Sequence, residues 1–295
     1  MDVNHAFFGP AGLLRSGWRF AIFAVLFALA IVVLSLLSFA IPRTVPGMVF
    51  RWASVVIVLL SALLIGWLCA RRLERLPFSS LGLSFTRRWF THLIIGLVVG
   101  IATIGIAILI AMVFGGLSFQ VNPIGGGQLA AGLGMSFIFL AVAAASEEAL
   151  FRGYPFQTLA RSGLAWLAIL ITSLFFARAH LQNPDAGVIS TANTALAGIW
   201  FGIAYLKTRD LWFVTGLHLM WNWTQGAIFG IEVSGMRELT PVSLLKELDS
   251  GPAWLTGGNY GLEGGVVTTI ALVLSMVVIY FLPFKPANLD SAQLR

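Results

Sequence analysis

The chain has 295 residues, 58% of them hydrophobic and only 10% charged, with a mean hydropathy of +0.91. Water-soluble domains carry roughly 25% charged residues, so this composition excludes an ordinary soluble globule. It points to an all-α, polytopic membrane helix bundle. The excess of Lys+Arg (18) over Asp+Glu (12) does not mark a nucleic-acid partner, because the basic residues stand at the ends of apolar segments, as topological anchors do.

Spans need about 20 apolar residues. In chain order the candidates are Trp18–Ile41, Gly47–Cys69, Leu93–Phe114, Leu133–Phe156, Leu164–His180, Val188–Leu206, Leu211–Phe229 and Val266–Leu282. The first run is too long for the apolar region of a cleavable signal, roughly 7–15 residues, and no A-x-A-like site follows it. It reads as a retained span. The sole cysteine, Cys69, sits at an expected helix end and is a free structural thiol, since it cannot form an internal disulfide or a thiolate metal cluster. After the second span, Arg71, Arg72, Arg75, Arg87 and Arg88 flank a Pro/Ser/Gly stretch, read as a cytoplasmic connector lying partly in the interface. Basic residues after alternate spans, with almost none in loops such as 115–128, predict about eight spans with both termini cytoplasmic. The expected location is the plasma membrane, multi-pass.

The whole chain reads as one membrane-embedded unit. Residues 1–125 hold the N-terminal helices and connector, 126–230 a core rich in motifs, 231–265 an extramembrane loop, and 266–295 the last helix and tail. The Gly-rich loop carries Trp254, Gly257, Gly258 and Glu263, and is either a gating lid or a solvated connector.

Three polar motifs interrupt the apolar core: Glu147-Glu148-x-x-x-Arg152, Phe176-x-x-x-His180 and His218-x-x-x-Asn222. Ionisable groups in spans cost at least about 2.5–3.5 kcal/mol each on insertion scales, and mark function by default. Glu148 and Arg152 are four apart and can pair on one face, either as a buried structural lock or as support for the site. Glu147 is turned about 100° away and would lack that partner. With a rise of ~1.5 Å per residue, Glu147, His180, His218 and Asn222 fall at similar depth on separate spans and can meet in one cavity. His5 and His92 lie outside the expected spans, and Asn193 and Thr194 either line the cavity or bond between helices.

These residue types suit hydrolysis of an amide in lipid. Glu147 can act as general base. His180 can orient the same water or share its proton. His218 and Asn222 can hold the oxyanion, with Glu148 and Arg152 supporting them. Zinc held by Glu147, His180 and His218 is the alternative. The absence of H-E-x-x-H favours a metal-free glutamate mechanism with no cofactor.

On these three ordered motifs, over roughly residues 137–230, the chain resembles the CAAX-protease and bacteriocin-processing (Abi) intramembrane endopeptidases, a group that includes the type II CAAX prenyl endopeptidases. The resemblance implies a helical membrane core, a catalytic glutamate at Glu147, histidine partners at His180 and His218, and an asparagine at Asn222. It leaves open the choice between metalloprotease and glutamate protease. It implies a membrane-associated peptide or protein substrate, which can be lipidated as in CAAX processing, and no nucleic acid. Arg178, two residues before His180, departs from the small or apolar residue expected there. It either binds a substrate carboxylate or snorkels outward. The competing function is a non-cleaving membrane immunity factor or scaffold. A transporter is disfavoured by the lack of an internal repeat.

Overall fold

The computed structural model describes residues 6–9, 12–38 and 46–284. The expected end of the first span at Ile41, His5 and the outermost residues of both termini lie outside the described residues.

The long helices follow the apolar runs: α1 (Ser16–Ser38), α2 (Gly47–Leu73), α3 (Trp89–Val113), α4 (Gly126–Phe151), α5 (Tyr154–Arg161), α6 (Ala165–His180), α7 (Val188–Thr208), α8 (Leu211–Trp223) and α9 (Val266–Phe281). Four of these (α1, α2, α3 and α7), and α4 taken together with α5, are long and apolar enough to cross a membrane, while α6 and α9 are shorter apolar helices. The molecule is an all-α polytopic bundle.

The expected span Leu133–Phe156 is corrected at its start, since helix α4 begins earlier, at Gly126; the helix breaks at Gly153, before α5 begins at Tyr154. At Gly153 a Cβ would stand 2.1 Å from the Ala149 carbonyl oxygen, and Pro155 follows inside the first turn of α5. The chain therefore changes direction just below the acidic pair of the first motif. Cys69 is a free, buried thiol inside α2 rather than at its end.

Helix α8 is only 13 residues long, and nearly all of it is buried. It packs backbone-to-backbone on α3. A Cβ at Gly96 would lie 2.2 Å from the Phe213 carbonyl oxygen, and one at Gly100 would lie 2.5 Å from that of Leu217. Small residues at such crossings let membrane helices approach closely. After α8 the chain continues into one π-helical segment, Thr224–Ile228, a distortion frequent at functional sites.

One end of the bundle is fixed by charge. Glu74 accepts from Arg19 at 2.5 Å and from Arg161 at 2.9 Å, joining the start of α1 to the end of α5. Burial pushes the Glu74 carboxyl up, but Arg161 and Arg19 outweigh it and hold it below the usual carboxylate range. At the same end His92 is corrected: it lies within α3, buried, with Nδ1 2.8 Å from Asp210, which caps α8 through the Trp212 amide.

At the opposite end, loop residues pair into a sheet that the apolar pattern does not reveal. Strands β1 (Leu117–Val121) and β2 (Leu245–Asp249) run antiparallel, with Phe119 opposite Glu247. This sheet ties the 230–265 segment to the α3–α4 connection. Burial, with Glu232 and Asp249 nearby, pushes Glu247 up to about 8 from its ordinary 4.5. A carboxyl raised on folding contributes stability that is complete below its unfolded pKa and is lost as pH rises through the folded one. Amide exchange across Leu245–Asp249 is therefore expected to accelerate between about pH 5 and pH 8 beyond the intrinsic pH effect, and Glu247→Gln to flatten that excess. Identical profiles for the two proteins would refute this.

Candidate active site

The break after α4 leaves Arg152 at the helix C-cap, where its side chain turns into the bundle. Glu148 and Arg152 are both 0% exposed. Arg152 Nη1 donates to Glu148 Oε1 at 3.2 Å and Nη2 donates to the Gly198 carbonyl at 3.0 Å. Gly198 lies where α7 crosses α6, and a Cβ there would meet the Ser173 backbone at 2.7 Å. The guanidinium also faces the rings of Phe176 (4.9 Å) and Phe201 (5.0 Å), an arrangement that compensates a desolvated cation.

Glu148 Oε1 has a second partner, His218 Nδ1 at 2.9 Å. The His218 ring stacks on Phe201, with centroids 4.6 Å apart. Both contacts fix the ring so that Nε2 is the free nitrogen. Nε2 stands 3.8 Å from Glu147 Oε2, beyond hydrogen-bond reach. Glu147 Oε2 is buried and has no hydrogen-bond partner among the described residues. A water lying off the line between the two atoms can bond to both.

His180 is the last residue of α6, and its Nδ1 is 2.8 Å from the Phe176 carbonyl one turn back. A carbonyl only accepts, so Nδ1 carries the proton in this contact. Its Nε2 is left for other partners. Each of the two imidazoles is thus oriented through Nδ1, the outer-sphere device that fixes tautomer and direction.

Glu147, His180, His218 and Asn222 line one cavity of about 70 Å³, room for a few waters. Glu148 and Arg152 lie behind it. The expected convergence of the motifs is therefore present. Asn193 and Thr194 also line the cavity, and Asn193 bonds between elements, donating to the Glu263 and Gly265 carbonyls at 2.9 Å. Arg178 does not join this site. It faces a groove on the other side of α6, so it is not placed to bind a substrate carboxylate in the cavity.

The cavity has a roof that the motifs do not announce. Val233, Ser234, Met236, Leu239 and Glu263, all from the 230–265 segment, close one side of it. Glu263 accepts from Trp221 Nε1 at 2.9 Å and from Ser234 Oγ at 2.6 Å. The segment is thus a packed cover and not a solvated connector. Glu263 is the wall residue that the sequence reading left without a role. Its only sequence signal is an acid set among glycines just before the last apolar run.

Among the described residues, no three His, Cys, Asp or Glu side chains are grouped so as to hold a metal ion. Glu147, His180 and His218 share the cavity.

Residues 128–224 match the family model described as Type II CAAX prenyl endopeptidase Rce1-like. The matched segment is about a third of the chain. It contains all three motifs, and the family is one of proteases. No curated protein matches the chain. With its apolar helices, the chain is a multi-pass membrane protein.

Hydrogen bonds to a carboxylate are worth about 1.5–3 kcal/mol each, and Glu263 holds the roof with two of them. Glu263→Ala is expected to raise amide exchange in 231–265 roughly ten-fold or more while leaving that of α3 and α8 unchanged. Exchange at the wild-type rate would mean that the roof is held elsewhere.

Proposed function

We propose that the chain is an intramembrane endopeptidase of the CAAX-processing kind, acting in the plasma membrane on a membrane-associated peptide or protein that can be lipidated. The observation that carries this reading is the Glu147 carboxylate. It is partly buried, with one oxygen unpartnered, and faces His218 Nε2 in a cavity shared with His180 and Asn222.

In this mechanism Glu147 takes a proton from a water while the water oxygen attacks the scissile carbonyl carbon. His180 Nε2 accepts the water's second hydrogen bond and orients it. The carbonyl oxygen becomes an oxyanion, held by the Asn222 amide and by the doubly protonated form of His218, which donates from Nε2. Glu148 keeps Nδ1 occupied, so the ring cannot turn away. Glu147 then returns its proton to the amide nitrogen as the C–N bond breaks, leaving a carboxylic acid and an amine. No step runs through a metal. The closed cavity holds waters rather than a peptide, so the roof lifts for substrate to reach Glu147.

Replacing a general base or one oxyanion donor typically costs about 10²–10⁴-fold and 10²–10³-fold respectively. Cleavage of a reporter peptide in proteoliposomes is expected to fall by at least about 10²-fold for Glu147→Gln and by about 10²–10³-fold for Asn222→Ala, with both variants inserting normally. Normal turnover by Glu147→Gln removes this function. A zinc chelator is expected to leave the wild-type rate unchanged, and loss of activity restored by added zinc would replace the metal-free mechanism with a metal one.

A further inference from the structure

Arg178 and His180 lie two residues apart on α6 and so project to nearly opposite sides of it. His180 lines the catalytic cavity, whereas Arg178 lines a lateral groove of about 320 Å³ between α1, the α4–α5 junction and α6. The walls of this groove include Phe20, Phe23, Phe27, Phe151 and Phe175. The Arg178 side chain is exposed and makes no hydrogen bond, ion pair or ring contact among the described residues. A lone guanidinium on the lipid-facing side of a span calls for an anionic partner from outside the protein.

Arg19 pins the start of α1 to Glu74, and Phe20 meets Phe175 at 6.5 Å between centroids. Farther along, Val25, Leu29, Val32, Val33, Leu36 and Leu37 are exposed. Helix α6 has 16 residues, so Arg178 stands about 20 Å above Ala165, within a hydrocarbon core about 30 Å thick, where an unpaired guanidinium favours an anionic partner.

We propose that this groove is a binding site for one anionic phospholipid. Its acyl chain lies along the phenylalanine walls and its phosphate pairs with Arg178. Guanidinium and phosphate match in charge and in fork geometry, while the cationic headgroup of a zwitterionic lipid competes with Arg178 for the phosphate. The bound chain presses on Phe151, whose ring packs edge-on against Phe176 at 5.3 Å. It thereby braces the wall behind Arg152. The proposal does not depend on proteolysis.

The test uses the full-length protein, stripped of lipid in a neutral detergent and titrated with dioleoyl-phosphatidylglycerol or dioleoyl-phosphatidylcholine. Retained lipid is read by native mass spectrometry and stability by thermal unfolding. Wild type is expected to retain the anionic lipid at least several-fold better and to gain Tm from it. Arg178→Gln is expected to lose that preference and Arg178→Lys to keep part of it. Ala28→Trp, which fills the groove from α1, is expected to retain less of either lipid. Equal retention of the two lipids by wild type, or an unchanged preference in Arg178→Gln, overturns the proposal. It is also overturned if phospholipid binding is insensitive to these variants while KM for a lipidated peptide rises, since the groove would then serve the substrate's own lipid.

Discussion

Glu148, Arg152 and His218 form a buried ionic cluster that joins α4 and its C-cap to α8, while the Gly198 carbonyl adds α7. Such clusters repay desolvation only when their geometry is good, and removing one partner typically costs about 3–5 kcal/mol. Here the cluster is not complete. Glu148 Oε2 and Arg152 Nε have no hydrogen-bond partner among the described residues. Phe176 and Phe201 compensate in part by facing the guanidinium. A purely structural lock would gain more from apolar packing. What the cluster secures is direction. With Nδ1 engaged and Phe201 under the ring, His218 Nε2 is aimed at Glu147.

The scaffold serves that aim by burying α8. Gly96 and Gly100 admit its backbone onto α3, and in the reverse sense a Cβ at Gly216 would stand 2.7 Å from the Leu93 carbonyl oxygen. The result is a short helix insulated from lipid, whose position is set by protein contacts on every side. Side chains held on such an element keep their geometry better than those on a lipid-facing helix. The π-helical segment that follows Asn222 and Trp223 then turns the chain toward the roof. His218, Asn222 and Trp221 are thereby fixed by one packing arrangement.

Much of this was legible in the sequence, for identifiable reasons. Apolar run lengths locate most of the long helices to within a few residues, although α4 begins seven residues before the expected Leu133. Gly153 and Pro155 mark the break under the first motif, and the four-residue spacing of Glu148 and Arg152 gives their pairing. The 100° offset of Glu147 from Glu148 separates a residue facing the cavity from one facing the cluster. What stayed hidden depends on contacts between distant segments. Two five-residue strands with mixed polarity carry no usable period, and Phe119 pairs with Glu247 only because both ends of the roof must be tied down. His92 looked like a loop residue because the apolar run starts one residue after it, yet Asp210 draws it into the bundle. Glu263 was visible only as an acid in a glycine-rich loop. Its role as a wall follows from Trp221, which no spacing rule connects to it.

The two polar roof contacts made by the site helices have a consequence for how water and substrate are handled. Asn193 belongs to α7 and Trp221 to α8, and both hold the chain around Glu263. Trp221 is the neighbour of Asn222 and lies three residues beyond His218. Any lifting of the roof at Glu263 breaks the Trp221 hydrogen bond and frees the indole beside the proposed oxyanion donor. Closing the roof again restores both the indole contact and the small hydrated cavity. Under the proposed function, admission of a peptide and assembly of the hydrolytic geometry are coupled through this contact. A bilayer enzyme needs such coupling, because a permanently open cleft would let lipid chains displace the few waters that Glu147 can use.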